Sequence, residues 1–315
     1  MRRALLIAIC LLAVTRIAAQ SPSCPAVALD SVGMMKDVFR LADDSMRGRK
    51  VGTPENAKAR DFIAARFDAL GLDRLPPGRV HPFTTSGRAG NVIKGFNVVG
   101  TLEGSKWPDD YIVVSAHFDH IGVGRPVDGD SIFNGADDNA SGTAGLMALA
   151  KLFMSEKPQH TLVFVTFDAE ESGEVGSRAW VNAAPIALVK ILADVNMDMV
   201  GRNVKHQLFA AGPTKYPQLR PLVEETIACA KGITLTIGHD GPGAVAGNDD
   251  WTNQSDQGAF NGKRIPFIYF GEEDHPDYHG VGDSPDRLMP TFYAASVRAV
   301  ADFIRRFDAK PVARQ

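Results

Sequence analysis

The chain has 315 residues, 44% of them hydrophobic and 23% charged, with a formal net charge of −3. This is ordinary globular composition, enough for one large α/β domain or two small ones. The weak net charge and the absence of a long Lys/Arg run exclude a basic surface or arm for nucleic acid.

In chain order, "MRR", the apolar "ALLIAICLLAV" and "TRIAAQ" come first. A positive start, a short apolar run and small residues at Ala18 and Ala19 read as a secretory signal peptide over residues 1–19. The run is too short for a comfortable membrane span, so no stable membrane association is expected after cleavage near Ala19. A periplasmic or secreted product follows, with residues 20–315 as a single domain. Cys24 and Cys229 then remain and could pair in an oxidising compartment; two cysteines are too few for a structural zinc site.

Thr53, Pro54 and Glu55 open a helix, Phe62, Ile63, Phe67 and Leu70 share its apolar face, and Gly71 ends it. The Pro/Gly-rich "LPPGRVHPFTTSGRAG" reads as a loop. From Asn97 onward, strand-like runs ("NVVGTLEG", "YIVVSAH", "TLVFVTFD", "ILADVNMDMV", "QLFAAG", "ITLTIG", "IPFIYFG") alternate with helical ones, ending in "PTFYAASVRAVADFIRRFDA". This predicts a three-layer αβα fold with a mixed, largely parallel central sheet.

Ligands of open α/β sheets sit at the carboxyl ends of strands. His117 follows one predicted strand, Glu170 and Glu171 a second, Asp198 a third, and the segment carrying His279 a fourth. Asp137 and Asp138 stand just before a predicted helix. Asp138, Glu171 and Asp198 with two neutral imidazoles make a site of about −3, which a crevice cannot hold without cations. Two Zn²⁺ ions sharing one carboxylate bring it near neutrality, and the nitrogen–oxygen donor set suits catalytic zinc.

"GRKVGTPEN", "AHFDHIG", "NGADDNASG", "FDAEESGEVGS", "NMDMVG" and "YHGVGDSPD", in this order, resemble the M28 family of co-catalytic zinc aminopeptidases. The match runs from about Asp30 to the end. The resemblance implies His117 and Asp198 on one zinc, Glu171 and His279 on the other, and Asp138 bridging, with Asp137 as the competing bridge. It implies Glu170 as general base towards a metal-bound water, and Tyr278 as donor to the developing oxyanion. Asp119 and Asp283 are expected to orient the imidazole ligands. "TNQSDQGAF" resembles a Ser-Asp-His segment near the family's substrate pocket, which places Asp256 and Gln257 there; this chain has Gln where His is frequent. His120 and His275 are left outside the ligand set, which five residues already fill.

The activity implied is hydrolysis of N-terminal residues from peptides with a free N-terminus. Alternatives are a carboxypeptidase or dipeptidase, with Arg202, Arg125 or Lys263 meeting the substrate carboxylate, a glutaminyl cyclase-like zinc enzyme, and a catalytically inactive binding relative.

Overall fold

Helix α2 (Pro54–Leu70) shows how the local sequence sets the scaffold. The Thr53 side chain accepts the Asn56 N–H, Pro54 occupies the first turn, and Gly71 closes the helix in the left-handed region at φ 75°. Ile63 and Phe67 are fully buried, while Phe62 and Leu70 pack at the margin of the same core. The computed structural model describes residues 23–86, 90–241 and 249–310; the expected signal peptide lies outside these residues.

An eight-stranded sheet runs in the order β1-β2-β6-β3-β7-β10-β8-β9. Its members are β1 (Val80–Ser86), β2 (Val92–Leu102), β3 (Trp107–His117), β6 (His160–Phe167), β7 (Ile191–Met197), β8 (Gln207–Ala211), β9 (Thr234–Ile237) and β10 (Phe267–Gly271). The four central strands β6, β3, β7 and β10 are mutually parallel, so their carboxyl ends share one edge. β1 and β2 add antiparallel on one side and β8 antiparallel to β10 on the other. A separate hairpin pairs β4 (Gly122–Val127) with β5 (Asp130–Phe133).

The central strands are buried on both faces, which is why they read as continuous apolar runs. In β3, Ile112, Val114 and Ala116 join the larger core with α1 (Ser31–Leu41), α2, α3 (Gly142–Glu156), α5 (Arg220–Cys229) and α7 (Pro290–Ala309). Val113 points to the opposite face with Trp180 of α4 (Val175–Asn182) and Phe260 of α6 (Gln257–Asn261). The architecture is therefore three-layered with a mixed sheet.

The Pro/Gly-rich segment after α2 is not all loop. Residues 80–86 pair along β2, from Val80 opposite Val98 to Ser86 opposite Val92. Pro82 is tolerated because β1 is an edge strand, where a missing donor costs no ladder bond. Cys24 and Cys229 form a disulfide with Cα atoms 5.3 Å apart, fastening the start of the described chain to the end of α5.

Candidate metal centre

The parallel strands deliver polar groups to their shared edge. His117 is the last residue of β3, Glu170 and Glu171 follow β6, Asp198 follows β7, and His279 lies in the segment after β10. Asp138 comes from the loop that opens α3. The backbone is forced into the left-handed region at Ala169 (φ 61°), beside the glutamate pair, and at His279 itself (φ 51°). Such non-glycine conformations each cost about 1 kcal/mol or more and are held only where surrounding packing fixes them.

The five residues expected as ligands converge. His117 Nε2 is 3.3 Å from Asp138 Oδ1 and 3.3 Å from Asp198 Oδ1. His279 Nε2 is 3.1 Å from Asp138 Oδ2 and 3.1 Å from Glu171 Oε2. Asp138 thus gives one oxygen to each of two groups of donors. Asp137 turns away: its Oδ1 accepts the Gly201 N–H at 2.7 Å, behind the loop.

The donor set fits divalent metal. Carboxylate and imidazole lone pairs face one another in a buried space, and such a cluster needs positive charge. In the metal-free arrangement burial lowers the His279 pKa, but Asp138 and Glu171 outweigh it and push the imidazole up to about 10. A proton and a cation would compete for the same lone pair.

Glu170 stands beside this group. Burial and the Asp198, Asp256 and Glu171 carboxylates push its carboxyl well above the usual range, although His117 pulls the other way. Its backbone N–H donates to Asp119 Oδ1 at 3.0 Å. Asp119 also lies against His117, with its backbone carbonyl 3.2 Å and its Oδ1 3.7 Å from Nδ1. It therefore couples the histidine to the glutamate turn, as a group orienting the imidazole should. Tyr278 is partly exposed and stacks on the His279 ring at 4.0 Å between centroids. Burial and the Asp138 and Asp198 carboxylates push its phenol above the ordinary value, keeping it a donor.

Two expectations are corrected. Asp283 does not orient His279; its oxygens accept the N–H groups of Asp137 at 2.8 Å and Asp138 at 3.0 Å, gripping the loop that carries the shared carboxylate. Gln257 is fully buried and does not line the cleft. Its amide accepts from Asn196 Nδ2 and donates to the Trp251 carbonyl, which ties β7 to the segment before α6. Asp256 is also fully buried, and its carboxylate acts electrostatically on Glu170 and His117.

Three further residues support the centre. His120 is fully buried with Nδ1 2.7 Å from Glu171 Oε1 and 3.6 Å from Asp138 Oδ2. Neither of its nitrogens has a well-aligned hydrogen-bond partner, so it is aimed at the donor group itself. Its place one residue after Asp119 in "HFDH" was the available signal. Arg49 is fully buried and donates to four carbonyls: Phe118 at 2.7 Å, Leu41 at 2.8 Å, Asn134 at 2.6 Å and Gly135 at 2.8 Å. It joins the loop after His117 to the loop before Asp138. Asp168 accepts from Asn56 Nδ2, Phe96 N and Ala169 N, fixing the turn before Glu170 to α2 and β2.

A family model described as peptidase family M28 matches residues 97–304. This chain belongs to peptidase family M28. The family is one of zinc metallopeptidases, and several curated relatives are described as probable zinc metalloproteases. A probable zinc metalloprotease from Pyrenophora tritici-repentis is 33% identical over 148 residues, 46% of this chain and 34% of the relative. A probable glutamate carboxypeptidase from Arabidopsis thaliana is 28% identical over 229 residues, 69% of this chain and 30% of the relative. The chain thus spans about a third of the length of these relatives. Among solved structures, a leucine aminopeptidase precursor from Bacteroides thetaiotaomicron is similar with a TM-score of 0.70 at 19% identity, covering 90% of this chain and 99% of that one. Glutaminyl cyclase from Porphyromonas gingivalis gives a TM-score of 0.72 at 20% identity, with 90% and 99% covered. At such identities the likeness is one of fold.

Proposed function

We propose that this M28 chain is a secreted or periplasmic di-zinc exopeptidase that releases N-terminal residues from peptides with a free N-terminus. The observation that carries the reading is the split of Asp138, one oxygen towards His117 and Asp198, the other towards His279 and Glu171. That division is what a carboxylate shared by two cations requires, and it supports a count of two. Bound zinc would supply Lewis acidity, polarising the scissile carbonyl and lowering the pKa of water.

The protein residues do the rest. Glu170 takes a proton from the attacking water and returns it to the departing amine, a role suited to a carboxylate whose turn is fixed beside the donor group by Asp119. Tyr278 donates from its phenol to the oxygen that gains charge. Asp119 keeps His117 and the Glu170 turn in register. His120 adds an imidazole at Glu171, either to the cation held there or to the glutamate that holds it.

The free-amine preference rests on charge. Among the cations considered for a substrate carboxylate, Arg202 is paired with Asp277 and Arg125 and Lys263 are on the exposed surface. Among the described residues no helix is long and apolar enough to cross a membrane.

The test is a panel of matched peptides with a free amine, an acetylated amine and an N-terminal glutamine. Release of the first residue from free-amine peptides alone is expected. Equal cleavage of acetylated peptides, or cyclisation of the glutamine peptide without hydrolysis, would overturn the assignment.

A further inference from the structure

Behind the loop that carries Asp138, a second group of donors comes together that the proposed chemistry does not use. Asp137, Glu272 and His275 each offer one ligand atom, and these atoms lie within 4.8 Å of one another. None belongs to the cleft set. Asp137 and Glu272 are 0% and 2% exposed, and the His275 side chain is 7% exposed.

Each carboxylate has one oxygen satisfied by backbone and one left over. Asp137 Oδ1 accepts the Gly201 N–H at 2.7 Å, and Glu272 Oε2 accepts the Arg202 N–H at 3.2 Å. Asp137 Oδ2, Glu272 Oε1 and both His275 nitrogens have no hydrogen-bond partner. His275 Nε2 lies 3.5 Å from Asp137 Oδ2 and 4.0 Å from Asp283 Oδ1, too far or too poorly aligned for hydrogen bonds. Arg202, beside the group, directs its Nη2 to Asp277 at 2.5 Å; its charge acts on Glu272 and His275, but its buried Nη1 makes no hydrogen bond and so satisfies none of their open atoms.

Buried polar atoms are almost always satisfied, and adjacent buried carboxylates need positive charge between them. A proton shared by Glu272 and Asp137 would quiet two oxygens but leave His275 Nε2 with Asp137 only at 3.5 Å, without hydrogen-bond geometry. A divalent cation takes one open atom from each of the three residues at once. Two carboxylate oxygens and one imidazole nitrogen suit zinc or a similar first-row metal.

We propose that Asp137, Glu272 and His275 form a third metal site, separate from the cleft, that clamps the Asp137–Asp138 loop to the segment after β10. Its place fits a structural role. One ligand adjoins the shared carboxylate in sequence, and another lies four residues before His279. The inference does not depend on the proposed peptidase activity.

The test is crystallography of the full chain purified with zinc, with anomalous difference maps on both sides of the zinc absorption edge, alongside metal analysis in solution. A peak between Asp137 Oδ2, Glu272 Oε1 and His275 Nε2 is expected, as is loss of one metal equivalent per chain in Glu272→Gln and in His275→Ala. Peaks in the cleft with none at this position would overturn the proposal, as would an unchanged metal content in folded Glu272→Gln. A peak here with none in the cleft would instead overturn the di-zinc reading and leave this one standing.

Discussion

Replacing Arg49 by methionine keeps most of the apolar stem and removes the charge. The guanidinium makes four buried hydrogen bonds to carbonyls on three segments. Bonds from a charged donor contribute about 1.5–3 kcal/mol each, yet burying the charge has its own cost. That cost is visible in the pKa, which burial pulls from 12.5 to about 10, while Asp138, Asp283, Asp119 and Glu171 resist the fall. The side chain therefore stays charged at neutral pH and serves as internal counter-charge to the metal-free cluster. Removing one member of such a network costs about 3–5 kcal/mol. For a chain of this size, with about 2.1 cal/mol/K of unfolding entropy per residue, that lowers Tm by roughly 5–8 °C. The assay is thermal unfolding of the metal-free protein in chelator, with Arg49→Lys alongside. Lysine should fall between, because one ammonium cannot reach carbonyls on both sides. Added zinc should restore part of the loss by replacing the missing charge. A methionine variant melting within about 2 °C of the parent under chelation would refute the reasoning, since the cited bonds are worth far more than that.

Other consequences are open to measurement. Asp168→Asn should flatten the pH dependence of stability. Burial and Asp119 push the Asp168 carboxyl up from 3.8 to about 7, so its folded state favours the neutral form. Stability from this group is then complete below pH 3.8 and is lost as pH rises through about 7, by up to roughly 4 kcal/mol. Equal slopes for parent and variant across that window would exclude the assignment. Cys24→Ser should lower stability by about 2–4 kcal/mol under oxidising conditions and by nothing under reducing ones, because the disulfide closes a loop spanning a sequence separation of 205. Asp283→Ala should weaken zinc binding with kcat per bound metal little changed, since Asp283 holds the loop backbone rather than an imidazole; a fall in kcat at full zinc occupancy would contradict this.

The metal centre was largely legible because its members stand where chemistry and topology coincide. His117, Glu171 and Asp198 sit at or just beyond the carboxyl ends of strongly apolar strands, and a strand end next to a core is an expensive place for charge. What stayed hidden was set by contacts remote in sequence. Arg49 lies in a quoted motif, but its partners are carbonyls, up to 86 residues away, that no side-chain pattern advertises. Asp283 was expected at an imidazole and grips backbone N–H groups instead, a choice made by the path of the Asp137–Asp138 loop. Gln257, read as a pocket residue, is drawn inward by Asn196 and Trp251. β1 was missed because proline and glycine mark a loop in isolation, whereas pairing with β2 decides the outcome.

The central claim is that metal held by His117, Asp138, Glu171, Asp198 and His279 works with Glu170 as the proton-transfer group. The direct measurement follows hydrolysis of a free-amine leucine anilide by parent and Glu170→Gln protein, before chelation, after it and after zinc return. The parent should lose activity on chelation and regain it with zinc. Glu170→Gln should bind the same zinc yet turn over about 10²–10⁴-fold more slowly. Full parent activity after exhaustive chelation, or near-parental turnover by zinc-loaded Glu170→Gln, would contradict the account.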